Sequence, residues 1–305
     1  MATSELPVYE SSIPRRRVQD GLTLREDIVY CDAKGKEKPK LRKHADQILG
    51  DLGEVLRRVV GSDETIFYFA NAQAMPGALE QFFSGWHTYG LPRAVLVLTD
   101  RRIVSLRARK RMRGWSWDRG VASVGWGDVA QVSLGGLITR YITIKLRNGE
   151  KISYWKFEAG EAKTIKTLSD LLGQHSAAHS TPTGAMVHLC PDCLSTLPPG
   201  GYQCNQCGLP FKTERELLWR GILIPGGASF YAGRTGFGVI RLIFECLLSV
   251  SIALLIWKAA RAPSGSQDAA AALTAAGFEA LALFLDKLIA ILNSRRQIRD
   301  MLPVR

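Results

Sequence analysis

Residues 237–257 read FGVIRLIFECLLSVSIALLIW, and 16 of these 21 positions are apolar. As a helix the stretch would be roughly 30 Å long, the thickness of a bilayer's hydrocarbon core. No other segment limits so strongly what the chain can fold into. The remainder does not share this character, because mean hydropathy over all 305 residues is −0.01. That average excludes a bundle made mostly of membrane helices, while a hydrophobic content of 46% excludes a wholly disordered chain. Two charges, Arg241 and Glu245, interrupt the stretch four positions apart. They fall on one helical face, where an ion pair reduces the cost of burial.

A second segment, 269–292, is longer and richer in Ala, and it carries Thr274, Glu279, Asp286 and Lys287. Glu279 and Asp286 are seven apart and share a face that could pack on Arg241. We expect this segment to span as well, with an interfacial helix as the alternative. Upstream, 217–232 is a short apolar run broken at Pro225-Gly226-Gly227, which suits a re-entrant or interfacial piece. The N-terminal MATSELPVYESSIPRRR lacks an apolar core of 7–15 residues, so no cleaved secretory signal is expected.

Of the six cysteines, Cys31 and Cys246 stand alone, and four form CPDC at 190–193 and CNQC at 204–207. Two such knuckles supply four thiolates, a set suited to tetrahedral Zn²⁺. A rubredoxin-like iron site or unmetallated thiols are the alternatives. With Cys190, Cys193, Cys204 and Cys207 all ligating, no position stays open for catalysis, so the Zn²⁺ is expected to be structural. Gly208, just after the second knuckle, suits a left-handed turn. Between Val187 and Lys212 the sole cation is Lys212, which leaves little to neutralise phosphates and does not favour nucleic acid.

Between these landmarks the pattern changes again. Residues 1–39 mix Pro, Gly and charge and read as an irregular lead segment. The next stretch, 40–60, carries an apolar helical stripe through Leu41, Ala45, Ile48, Leu49, Leu52, Leu56 and Val59. Seven β-rich runs follow: 65–72, 93–99, 101–108, 121–126, 129–134, 141–146 and 151–157, with turn signals such as Asn148-Gly149 between them. A helix over 159–173 closes the series, and 175–186 is a Ser/Ala/Thr/Pro linker.

Seven strands and a terminal helix, with the Asp-turn hairpin LTDRRIVSL (98–106) and the strand entry GWGDVAQV (125–132), resemble a bacterial pleckstrin-homology-like (PH-like) domain. The resemblance implies an antiparallel β-barrel over 61–174 plugged by its C-terminal helix. The cysteine region, 187–213, is similar to the short zinc ribbons appended to bacterial membrane proteins. The Pro/Gly break followed by Phe230, Tyr231, Gly233 and Arg234 resembles small bacterial two-transmembrane hairpin domains, though the acidic residue often found between their helices is missing. The fold class expected is therefore α+β and multidomain: a PH-like barrel, a zinc ribbon, and C-terminal transmembrane helices within 214–305.

The charge is as segregated as the apolar residues. Lys and Arg number 40 against 28 Asp and Glu, a formal +12. Between Arg101 and Gly120 eight cations face one anion, Asp118. On the barrel reading this run ends the third strand and forms the following loop. Arg107, Arg109, Lys110, Arg111 and Arg113, beside Trp115 and Trp117, suit an anionic lipid surface. The opposing reading is a solvated hairpin, with both tryptophans in the core.

Reduced thiols and the arginines after 294 place the N-terminal domains and the C-terminus in the cytosol, at a bacterial inner membrane. No nucleotide-binding, protease, hydrolase or kinase motif is present. We expect a non-enzymatic, membrane-tethered adaptor or sensor whose partners are anionic lipid or an unidentified protein. The alternative is a structural subunit of a larger membrane complex, assembled through Arg241, Glu245, Glu279 and Asp286.

Overall fold

A computed structural model describes residues 16–19, 21–32, 34–75, 93–111, 114–136, 140–158, 160–176, 185–263, 265–299 and 301–304. The described residues form two compact units: one runs up to Met75 and continues from 93 to Leu209, and the other starts at Pro210.

The first unit is built on antiparallel strands β3 (Thr65–Ala74), β4 (Arg93–Thr99), β5 (Arg102–Arg111), β6 (Gly114–Gly125), β7 (Val129–Gly135), β8 (Tyr141–Leu146) and β9 (Lys151–Trp155). They form consecutive meanders of four and three strands, joined where β3 pairs with β9. Local chemistry sets the turns. At the β4–β5 corner the Thr65 N–H donates to Asp100 Oδ1 at 3.0 Å, and the Arg102 N–H donates to Thr99 Oγ1 at 3.0 Å. At the β8–β9 turn Gly149 takes φ +88° and Asn148 Oδ1 accepts the Glu150 N–H, as an Asn-Gly turn requires.

Helix α2 (Pro39–Val59) covers one face of the sheet and α3 (Glu161–Ser176) the other. Ile48, Leu52 and Leu56 of α2 pack with Val95, Val97, Val104 and Leu106. Ile165, Leu168 and Leu172 of α3 pack with Leu96, Leu98, Ile103 and Trp126. Successive side chains of a strand point to opposite faces, so β4 is apolar from Ala94 to Leu98 because both its faces are covered. The Trp126 indole N–H, fully buried, donates to the Thr99 carbonyl at 2.9 Å.

The lead segment holds more order than its composition suggests. Strands β1 (Arg16–Gln19) and β2 (Leu22–Arg25) form a hairpin, β2 runs parallel to β3, and the short helix α1 (Glu26–Val29) follows. The expectation of a closed barrel is not met. The order of the two meanders is β6-β5-β4-β3-β9-β8-β7, and the sheet is open between β6 and β7. The outer edge of β6, at Val121–Ser123, is taken instead by β10 (Val187–Leu189), which pairs in turn with β11 (Thr196–Leu197).

The second unit contains α4 (Glu214–Leu223), α5 (Gly227–Tyr231), α6 (Thr235–Arg261) and α7 (Gln267–Arg299). Gly226 turns the chain between α4 and α5 at φ +68°, and a Cβ there would lie 2.4 Å from the Gly238 carbonyl oxygen of α6. Only glycine satisfies both demands. Among the described residues one helix, α6, is long and apolar enough to cross a membrane. The expectation of a second such helix is corrected accordingly: 269–292 is helical within α7, which is richer in alanine than α6 and carries Glu279, Asp286 and Lys287.

The two-faced core predicts that Ile48→Ala and Leu168→Ala each destabilise the sheet unit by about 2–5 kcal/mol. Denaturant unfolding followed by tryptophan fluorescence checks this.

Candidate functional site

The four paired cysteines converge. Their sulfurs all lie within 4.8 Å of one another, with Cys190–Cys207 and Cys193–Cys204 each at 3.5 Å. A tetrahedral centre with metal–sulfur bonds of about 2.3 Å has sulfur–sulfur edges of about 3.8 Å, so the set can hold a metal ion. Each knuckle repeats one backbone pattern. The Cys190 N–H donates to the Ser195 carbonyl and Leu194 N–H to the Cys190 carbonyl; the Cys204 N–H donates to Leu209 and Gly208 N–H to Cys204. The fourth residue after each leading cysteine is left-handed, Gly208 at φ +73° and Leu194 at +59°. Leu194 gives no glycine signal in the sequence, yet its side chain packs on the core under α2, which offsets the strain.

The Ser195 hydroxyl lies 3.1 Å from the sulfurs of both Cys193 and Cys204. That hydroxyl, together with the Cys207 and Gln206 N–H groups, holds the Cys204 thiol down to about 6. Burial pushes Cys190 up to about 12; a bound cation favours the thiolate and opposes that shift. The first knuckle is also tied to the sheet. Arg58 of α2 donates to the Asp192 carbonyl at 2.6 Å, and Arg119 of β6 pairs with the Asp192 carboxylate.

The described part of the basic run is strand: β5 reaches Arg111 and β6 starts at Gly114, its partner in register, with a register shift between Arg107 and Ala108 that leaves Asp118 and Arg119 as extra residues on β6. Arg119 sits at φ +59° in this bulge. The Arg107 side chain is 7% exposed and crosses Gly120, where a Cβ would stand 2.8 Å from that of Arg107. The bulge turns Asp118 inward, and its Oδ2 accepts from Arg107 Nε at 3.1 Å and Arg109 Nη2 at 3.1 Å. Arg102 forms a two-pronged pair with Glu64, and Arg101 pairs with Asp63.

Lys110 is exposed, with its ammonium 5.9 Å from the centroid of the Trp115 ring. Trp115 is buried in the α2-facing core and its backbone N–H donates to Asp51 Oδ2 at 2.7 Å. Trp117 is half-buried against the same core. Arg113 and the Arg111 side chain lie outside the described residues.

In the second unit Arg241 does not pair with Glu245. Arg241 Nη1 donates to the Asp286 backbone carbonyl at 3.0 Å and to its carboxylate at 3.3 Å. Glu245 Oε2 instead accepts from Lys287 Nζ at 2.7 Å, and Lys287 also donates to the Gly221 carbonyl. One turn of helix separates the two pairs. Farther along, the Ser251 hydroxyl donates to Glu279 Oε1 at 3.0 Å, while Glu279 Oε2 is buried without a hydrogen-bond partner among the described residues. Arg241 and Glu245 are 5% and 2% exposed, whereas Leu247 and Phe278, which face outward from α6 and α7, are 66% and 71% exposed. This hairpin is polar within and apolar outside. Lys287 was the functional partner least legible in the sequence, because nothing local joins it to Glu245.

No family model matches the chain, and no curated protein matches it. Among solved structures, the C-terminal domain of an unknown protein from Leishmania infantum is similar at 11% identity and a TM-score of 0.27, over 43% of this chain and 98% of that one. So slight a likeness carries no argument about fold or role.

Two outcomes follow from this geometry. The purified chain should contain about one equivalent of metal by elemental analysis; Cys190→Ser and Cys204→Ser should each lose it and lower the melting temperature. In the hairpin, Arg241→Ala and Asp286→Ala should each destabilise the protein in detergent. The double variant should lose less than the sum of the two, with a coupling of about 1–3 kcal/mol in a double-mutant cycle.

Proposed function

We propose that this chain is a non-enzymatic, membrane-tethered adaptor or sensor. The α6–α7 hairpin holds it in a bilayer, and the sheet unit is a PH-like module steadied by a zinc ribbon. The single observation that carries the reading is the reversed polarity of the hairpin. A helix in the core of a soluble protein is covered, but α6 has only 11% of its most apolar window buried, while its charges are inside. Lipid is the solvent that makes such an arrangement stable.

Support for the PH-like reading comes from the two meanders of four and three strands followed by a packed C-terminal helix. Zinc is favoured over other metals because four thiolates without further donors suit a closed structural site. On this reading the sheet unit and the C-terminus lie in the cytosol of a bacterial cell, on the inner membrane. The partner is anionic lipid or a protein. Pairing of Arg101, Arg102, Arg107, Arg109 and Arg119 with carboxylates weakens a purely electrostatic hold on lipid and makes a protein partner the better supported of the two. The competing role, a subunit assembled through intramembrane charges, is less supported, because Arg241, Glu245 and Asp286 already have partners within the hairpin.

The test is alkaline carbonate extraction of membranes from cells making the full chain, with Cys246→Ser as a control for thiol artefacts. The protein should stay in the membrane pellet. Release into the supernatant rejects the anchor. Full-length protein in neutral nanodiscs should then associate with anionic vesicles only weakly and in a salt-sensitive manner. Tight, salt-resistant and headgroup-selective association would instead make lipid the principal ligand.

A further inference from the structure

A cavity of about 610 Å³ opens in the sheet unit between the 32–41 segment, which leads into α2, and the N-terminus of α3. Nothing in the proposed adaptor role uses it. Its volume lies within the range of small-molecule sites, roughly 300–1,000 Å³. Two features of its walls point to one kind of ligand.

The first is the rim. Lys34, Lys38, Lys40 and Lys163 line the cavity against two rim carboxylates, Asp32 and Glu158. Asp32 is already engaged: it pairs with Lys38 at 3.0 Å and accepts the Lys34 and Lys36 N–H groups. The rim therefore keeps an excess of positive charge, and the first turn of a 16-residue helix adds the positive end of its dipole.

The second feature is the floor. Tyr68 of β3 and Glu161 of α3 line the cavity and are 1% and 2% exposed. Glu161 Oε1 has no hydrogen-bond partner among the described residues, although a buried polar atom left unpaired costs about 1–3 kcal/mol; the Tyr68 hydroxyl makes no well-aligned hydrogen bond there, its one polar neighbour on the floor being the Thr164 side chain. Glu161 Oε2 is satisfied by the Glu158 N–H at 2.9 Å. Burial pushes the Glu161 carboxyl up to about 8, against the Glu158 N–H that favours its ionised form, and burial also raises the Tyr68 phenol. The floor thus offers the Tyr68 O–H and a carboxyl that burial biases toward its protonated form, beneath a ring of ammonium groups.

We propose that this cavity binds a phosphoryl group, carried by a small phosphate monoester or a lipid headgroup, with the lysine rim meeting its charge and the Tyr68 hydroxyl donating to one of its oxygens. A phosphoryl group brings what the walls lack, several strong acceptors and two negative charges, in a volume the cavity admits. Lysine suits this role as a compact point charge. A cation or an apolar ligand would leave both the donors and the ammonium excess unmet.

The probe is glycerol 3-phosphate, titrated calorimetrically into the full chain in neutral-lipid nanodiscs at fixed ionic strength, with chloride as control. Saturable binding is expected. Lys163→Ala and Lys40→Ala should each weaken it several-fold, and Tyr68→Phe by about tenfold, the loss of one charge-assisted hydrogen bond. Tyr68→Phe removes a hydroxyl whose only polar neighbour on the floor is Thr164, so its melting temperature should change little; Glu161→Gln, which keeps shape, is the second floor variant. Nanodiscs doped with phosphatidic acid separate the two sources: competition with the soluble probe identifies a lipid headgroup, and its absence a soluble ester. Lack of saturable binding by both the probe and the doped lipid overturns the proposal. So does unchanged affinity in both floor variants, which would reduce the site to surface lysines.

Discussion

A charge removed from water costs several kcal/mol unless an opposite charge and hydrogen bonds receive it, and both units of this chain are shaped by that cost. In the sheet unit a short stretch of strand carries most of a large cationic excess, and it is accommodated by carboxylates brought from three places. Asp118 is turned inward by a bulge, Glu64 precedes β3, and Asp192 sits in the first cysteine knuckle. The bulge is the least expected of these. Its left-handed Arg119 and the side chain laid across Gly120 are tolerated because together they let one carboxylate serve two guanidinium groups. In the helical unit the same rule runs across two helices, where Arg241 meets Asp286 and Glu245 meets Lys287.

This rule also separates what the sequence discloses from what it hides. Alternation and turn chemistry disclose all seven strands of the two meanders, because those signals are local. The cysteine set is legible for the same reason: two CxxC pairs lie within one short segment. Pairings between distant residues are not legible. Arg241 and Glu245, four apart, look like partners, and each instead finds a closer carboxylate or ammonium 40-odd positions away. The run RARKR reads as a strand end passing into a loop, yet all five residues are strand, since cross-strand pairing and the Asp118 bulge decide its conformation. The lead segment is similar: LTLR forms a strand between β1 and the edge that β3 offers it. Nothing in the local pattern around Tyr68 or Glu161 announces a cavity, which arises where two segments far apart in the chain meet.

The two units dispose the same residue classes in opposite ways. The sheet unit covers its apolar strands with a helix on each face and leaves its lysines outside. The hairpin directs its leucines and phenylalanines outward and closes its charges between helices. Averaged over the chain, these arrangements cancel to a mean hydropathy near zero, so composition alone describes neither.

The open sheet and the sulfur cluster have a common explanation. An exposed strand edge presents unpaired backbone groups and invites unwanted pairing. A barrel would satisfy the edge of β6 by closing on β7, but here β10 occupies that edge at Val121–Ser123. Strands of three and two residues, such as β10 and β11, are too short to hold such a position by backbone hydrogen bonds alone. The knuckles that follow them supply the missing restraint. Four sulfurs gathered within 4.8 Å, with Arg58 and Arg119 gripping Asp192, fix the far ends of both short strands. The cysteine cluster, which could hold a metal ion, therefore sits as a clasp beside the two very short strands that take the edge a closed barrel would have used.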